Sequence, residues 1–125
     1  MAEFRSCLER VISSLNQVNL NYVIVGGLAA IIHGRSRTTM DIDLIVEDKR
    51  EIILIFVSLL EKANFDVSKH QILDALDKGY NISIFDNLSY IRLDIKPAKS
   101  TDEKEVLENA IKEEYHDMIL KIASN

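Results

Sequence analysis

Apolar residues recur along this chain with two periods, and they divide it into elements. Phe4, Leu8, Val11, Ile12, Leu15 and Val18 follow a helical spacing, which predicts an amphipathic helix over residues 3 to 18. "YVIV", residues 22 to 25, is a β-rich apolar run and reads as a buried strand. Gly26 and Gly27 then turn the chain into a short helical stretch, "LAAIIHG", with Gly34 at its C-terminal cap. Residues 35 to 39 are polar and loop-like. In "MDIDLIV", residues 40 to 46, Ile42, Leu44 and Val46 face one way and Asp41 and Asp43 the other.

The second half continues the alternation of strand and helix patterns. Asp48 stands in N-cap position, with Glu51 three residues on as the partner of a capping box, before a helix to about Ala63. Residues 70 to 78 suggest another short helix, stopped by Gly79. "YNISIFD" and "YIRLDIK" alternate strictly and are joined by "NLS", the pattern of a hairpin. Ile91, Leu93 and Ile95 share one face of its second arm; Arg92, Asp94 and Lys96 take the other. Ser100 or Thr101 caps a helix from about 102 to 113, and "MILKIAS" fits either a continued helix or a last strand. This order predicts an α+β fold, α/β-like in its alternation: a mixed sheet of about four to five strands with helices packed against it.

Bulk composition narrows the picture without naming a chemistry. A chain of 125 residues, 47% hydrophobic and 28% charged, suits a single domain with one core. Its apolar runs are short and broken by charge, so no transmembrane helix is expected. The N-terminus lacks a signal-peptide core, which predicts a cytoplasmic protein. A net charge of −5 disfavours a large nucleic-acid footprint. Cys7 is the only cysteine, so no internal disulfide or zinc cluster is expected, and it reads as a half-buried residue of the first helix.

The chemistry concentrates between residues 23 and 47. On a strand, Asp41 and Asp43 point to the same side with Cα atoms about 6.5 Å apart, so their oxygens can converge on a cation. Magnesium prefers oxygen ligands and typically takes one or two carboxylates plus substrate phosphates. Asp94, on the polar face of another apolar strand, is the candidate third acid. The glycine pair follows a buried strand and opens a helix, where unpaired backbone N–H groups suit a phosphate and glycine lets a ligand approach closely. Either signal alone reads as a solvated strand face or a tight turn. Together they point to a metal–nucleoside triphosphate.

"VGGLAAIIHGRSRTTMDIDLIV" resembles the signature of the nucleotidyltransferase fold, the DNA polymerase β-like superfamily. That signature places a glycine pair, or Gly-Ser, nine to thirteen residues before Asp-x-Asp; here thirteen residues, 28 to 40, separate Gly27 from Asp41. The nearer likeness is to the AbiEii-like, minimal nucleotidyltransferase branch, which Gly26, Gly27, Ala29, His33, Gly34, Arg37, Thr39, Asp41 and Asp43 match in order. The likeness is specific over residues 22 to 47 and looser from 48 to 96, where Asp94 matches the third acid.

The resemblance implies transfer of a nucleoside monophosphate from an NTP to an acceptor hydroxyl of a tRNA end or a protein. It implies Mg²⁺ (or Mn²⁺) held by Asp41, Asp43 and Asp94 as catalytic carboxylates. Gly26 and Gly27 would seat the β- and γ-phosphates, with Arg37 and then Arg35 as phosphate contacts. Relatives of this branch include toxins of toxin–antitoxin pairs, so a cognate antitoxin is an implied partner. This chain departs from the pattern in two ways. Many relatives carry serine at Gly27 or one position later, where Leu28 offers no hydroxyl; and fuller-length relatives continue into a C-terminal helical extension. Two other readings therefore stand beside the enzyme: a catalytically degenerate nucleotide- or partner-binding domain of the same fold, and an interaction domain with surface carboxylates.

The remaining polar residues read more plainly. His33 suits a helix C-terminus, where the dipole favours positive charge. Tyr80 and Tyr90 read as cross-strand packing partners, Lys96 and Lys99 as a solvated edge, and "DEKEVLENAIKEE" as a charged helix face.

Overall fold

The computed structural model describes residues 2–36 and 41–124. The chain runs α1 (Ala2–Val18), β1 (Tyr22–Val25), α2 (Gly26–Ile32), β2 (Asp41–Val46), α3 (Arg50–Lys62), β3 (Phe65–Asp66), α4 (Lys69–Lys78), β4 (Ile82–Asp86), β5 (Arg92–Pro97), α5 (Thr101–Glu108), β6 (Ile111–Tyr115) and β7 (Met118–Ile122). The strands form one mixed sheet in the order β3-β4-β5-β2-β1-β7-β6. β2 lies at its centre, parallel to β5 and antiparallel to β1.

The architecture is the expected α+β one, with seven strands rather than four to five. β3 is a two-residue pairing with β4 too short to leave a periodic signal. The helix expected over 102 to 113 stops at Glu108, and Ile111–Tyr115 forms an edge strand paired with β7. Most of β6 is exposed on both faces, so its sequence lacks the alternation that marks a half-buried strand. The ambiguous "MILKIAS" segment resolves as strand, joining β1 in parallel at Ile24–Ile122. The capping box expected at Asp48 is absent: Lys49 is the N-cap of α3 without a side-chain bond, and Asp48 accepts from Lys99 Nζ at 3.2 Å. A capping box does form at α5, where Ser100 and Glu103 satisfy each other's backbone N–H groups.

Two clusters of unequal size cover the sheet. One face packs against α1 and α3 through Leu8, Val11, Leu15, Ile53, Phe56 and Leu60, which meet Ile24, Ile42, Leu44, Leu93 and Ile95. The opposite face carries only a small cluster, in which Val23, Ile45 and Ala98 are capped by Leu107 of α5. β2 therefore changes character along its length. Ile45 is covered by α5, whereas Asp43 and Asp41, two and four residues earlier on the same face, run out from under it. No helix among the described residues is long and apolar enough to cross a membrane.

A buried ion pair ties α1 to the β4 end of the sheet. Arg10 donates from Nη1 to Asp86 Oδ1 at 2.8 Å and from Nη2 to Oδ2 at 2.6 Å, while Ser89 Oγ donates to Oδ2 at 2.6 Å. Burial alone would raise the Asp86 pKa, but the bonds from Arg10, Ser89 and the Leu88 backbone outweigh it and hold it down at about 2. Cys7 lies fully buried beside this pair rather than half-buried; burial first, then the Asp86 charge, pushes its thiol up to about 12. At that value it is not a nucleophile.

Candidate active site

Strand register, not local sequence, assembles the acids. β2 and β5 pair in parallel with Asp41 opposite Arg92 and Asp43 opposite Asp94. Directly paired residues project to one side of a sheet, so Asp43 and Asp94 stand side by side although 51 positions separate them in sequence. On the other flank β1 pairs Val25 with Asp43, and the chain turns immediately afterwards at Gly26. The diglycine bend and the carboxylates therefore meet at one point on the open part of the sheet.

The approach at Gly26 is close. Its φ is +71°, and a Cβ built there would lie 2.5 Å from Asp43 Oδ2. Any side chain would thus both strain the backbone and collide with the acid. The glycines form the first turn of α2 rather than a turn preceding it, and α2 ends one residue earlier than expected, with His33 at the cap and Gly34 at φ +93°. His33 Nε2 lies 2.7 Å from the Ala123 carbonyl, so this imidazole joins α2 to the end of β7 and is spoken for structurally.

The electrostatics are those of crowded carboxylates. The Asp43 pKa is raised by burial first, then by the charge of Asp94, by a hydrogen bond to Asp94 that only protonated Asp43 can donate, and by the charge of Asp41. Arg92 opposes this shift. Its Nη2 lies 2.9 Å from Asp41 Oδ2 and its Nε 3.1 Å from Asp94 Oδ2. The side chains of Asp41 and Asp94 remain 39% and 23% exposed, so a solute can reach them.

Oxygen donors of this kind are the set that hard divalent cations prefer. Asp43 and Asp94 stand side by side in the β2–β5 ladder with like charge, so the pair fits such an ion. As the side chains stand, no three Asp, Glu, His or Cys groups among the described residues are arranged to enclose a metal. Asp41 is held by Arg92 through Oδ2. The alternation on β5 had placed Arg92 on the acid face; its bridge between two of the three acids required the β2–β5 register, which no local pattern carries.

Of the other expected residues, Arg35 is exposed beyond α2, and Arg37 and Thr39 lie outside the described residues. Lys96 pairs with Glu103 at 2.8 Å and Lys99 with Asp48 at 3.2 Å; both side chains stay about half exposed, on the solvated side expected of them. Tyr80 and Tyr90 fall outside β4 and β5 and are 63% and 79% exposed, not cross-strand packing partners. A groove of about 540 Å³ between α1 and β7, lined by Glu9, Ile12, Asn16, Met118 and Ile119 among others, shares no residue with the acid site.

Residues 5–86 match the family described as nucleotidyltransferase of unknown function (DUF6036), a stretch that includes β1, the diglycine bend and both β2 acids. The chain belongs to this nucleotidyltransferase family. Two solved structures share its fold. TM1012 of Thermotoga maritima, classed provisionally as a nucleotidyltransferase, superposes with a TM-score of 0.68 at 15% identity, over 99% of this chain and 79% of its own. The antibiotic-resistance factor ANT(2'')-Ia gives a TM-score of 0.58 at 19% identity, over 99% of this chain and 67% of its own. No curated protein compared with the chain matches it. The likeness to these structures covers β6 and β7 as well, so the nucleotidyltransferase fold accounts for the strands that periodicity did not reveal.

Proposed function

We propose that this nucleotidyltransferase-family protein moves a nucleoside monophosphate from an NTP to an acceptor hydroxyl at the face where β2, β5 and the diglycine bend meet. The observation that carries the reading is the side-by-side placement of Asp43 and Asp94 against a glycine whose missing Cβ leaves room at the carboxylate. Mg²⁺ or Mn²⁺ held by Asp41, Asp43 and Asp94 would supply Lewis acidity and lower the pKa of the acceptor hydroxyl. The chain's own residues do the rest. Asp94, whose side chain is 23% exposed, accepts the hydroxyl proton. The backbone of Gly26 and Gly27 donates to the β- and γ-phosphates, since Leu28 has no hydroxyl to offer. Arg37 and Arg35 lie on the connection between α2 and β2 in sequence and are the proposed cationic phosphate contacts.

The AbiEii-like resemblance over residues 22 to 47 favours an acceptor hydroxyl on RNA, such as a tRNA end, or on a protein, with growth control by a toxin–antitoxin pair as the setting. A second reading, a degenerate domain that binds nucleotide without turnover, is favoured by one observation: Asp41 is engaged by Arg92. Incubation with each radiolabelled NTP, Mg²⁺ and total cellular RNA and protein separates them. Label transferred to an acceptor, and lost in Asp43→Asn, supports the enzyme. Mg-NTP binding without pyrophosphate release from any mixture overturns turnover and leaves the binding domain. Absence of binding heat with every NTP overturns both.

A further inference from the structure

The acid site contains a cation of its own. Arg92 presents one edge of its guanidinium, with Nε 3.1 Å from Asp94 and Nη2 2.9 Å from Asp41, and so spans two of the three acids at once. Nη2 donates a hydrogen bond to Asp41 while Nε stands within ion-pair range of Asp94, a span along one planar edge that a lysine ammonium cannot copy. The register explains why it is available. Arg92 stands opposite Asp41 in the β2–β5 ladder, two residues before Asp94 on the same face. The Asp41 oxygen that Arg92 engages, Oδ2, is not open to an ion shared with Asp43 and Asp94 while that bond stands.

We propose that Arg92 is an internal counter-ion that holds Asp41 in a resting position and competes with a divalent cation for the acid cluster, so that this positioning residue sets metal affinity. The inference rests on the metal-dependent reading above. Two physical terms act in one direction. The guanidinium occupies carboxylate oxygens that the metal needs, and its positive charge repels a second cation nearby. Both ion pairs are partly exposed, with the Arg92 side chain 44% accessible, so each is weak and exchange is easy. Phe85, half-exposed, stands directly opposite Arg92 in the β4–β5 ladder, on the side away from β2.

The probe is Mn²⁺ alone, followed by loss of the free-ion EPR signal at low ionic strength, with the full chain in wild-type, Arg92→Gln, Arg92→Lys, Asp43→Asn and Asp94→Asn forms. Each variant is first checked by circular dichroism. Arg92→Gln should bind Mn²⁺ about three- to tenfold more tightly than wild type, the range that loss of one or two exposed ion pairs gives. Arg92→Lys, which keeps the charge but not the fork, should fall between them. Saturating Mn²⁺ should also raise the melting temperature of Arg92→Gln more than that of wild type. Unchanged or weaker binding in Arg92→Gln, with wild-type binding still lost in Asp43→Asn and Asp94→Asn, overturns the counter-ion role and leaves the metal site standing. Mn²⁺ binding that is absent throughout, or indifferent to the two aspartate variants, overturns the metal site and the counter-ion role together.

Discussion

Replacing Gly26 by alanine tests the close approach on which the site depends. Two costs are separable. Holding a non-glycine residue at φ +71° costs about 1–2 kcal/mol. The added Cβ would stand 2.5 Å from Asp43 Oδ2, so the carboxylate must retreat by about 0.9 Å to reach an ordinary 3.4 Å contact. It cannot do so freely, because Asp94 stands beside it with like charge. Driving the side chain off its rotamer adds about 0.5–1.5 kcal/mol. The expected loss is about 2–3 kcal/mol, which moves a urea midpoint by about 1–2 M for a slope near 1.5 kcal/mol per M. Gly34→Ala is the matched control: its φ is +93°, but nothing lies within 4 Å of the added Cβ. It should lose only the backbone part, about 1–2 kcal/mol. Urea unfolding followed by circular dichroism measures both. Equal losses in the two variants would refute the steric argument and detach the glycine bend from Asp43.

Three further outcomes follow from other parts of the molecule. Asp43→Asn should keep the fold and gain modestly in stability without metal, because it removes one of the crowded charges, while Mn²⁺ binding is lost; a titration unchanged from wild type counts against the assignment. Asp86→Ala leaves the Arg10 guanidinium without its buried partner and should cost about 3–5 kcal/mol in thermal or urea unfolding, against less than half of that for the exposed Arg5–Glu9 pair. The Asp86 pKa is depressed on folding, from 3.8 to about 2, so its contribution is complete above about pH 4 and is lost as pH falls towards 2. That contribution is about 2 kcal/mol, and Asp86→Asn should flatten the stability profile between pH 5 and pH 2.5 by about two thirds of it; a variant with the wild-type slope would show that the pair carries no linkage.

Periodicity made the helices and the central strands legible because each buries one face. α1, α4 with its Gly79 stop, β2 and the β4–β5 hairpin all stand close to where alternation and capping place them. Edges were not legible for the same reason: β6 buries neither face for most of its length, and β3 is too short to have a period. Asp48 is not the cap: α3 begins one residue later, with Lys49 as its N-cap, and the Asp48 carboxylate instead meets Lys99, 51 positions on, a partner no local rule can name. At the site, the face of each acid was readable from its own strand. That β5 rather than another strand lies beside β2 was not, and with it went the bridge made by Arg92. The Arg10–Asp86 pair was hidden likewise, since its partners lie 76 positions apart.

The parallel register of β2 and β5 has a consequence for how accurately the acids can be placed. Sliding β5 by a single residue would turn Asp94 inward among Ile42 and Leu44 and expel Leu93 and Ile95 into water, so every neighbouring register is heavily penalised. The mutual repulsion of Asp43 and Asp94 opposes their meeting, yet it acts on a ladder already locked by the aliphatic residues between them. Oil on one side of the strand thus sets the alignment of charge on the other, and changes to Leu93 or Ile95 deep in the interior should detune the acids without touching them.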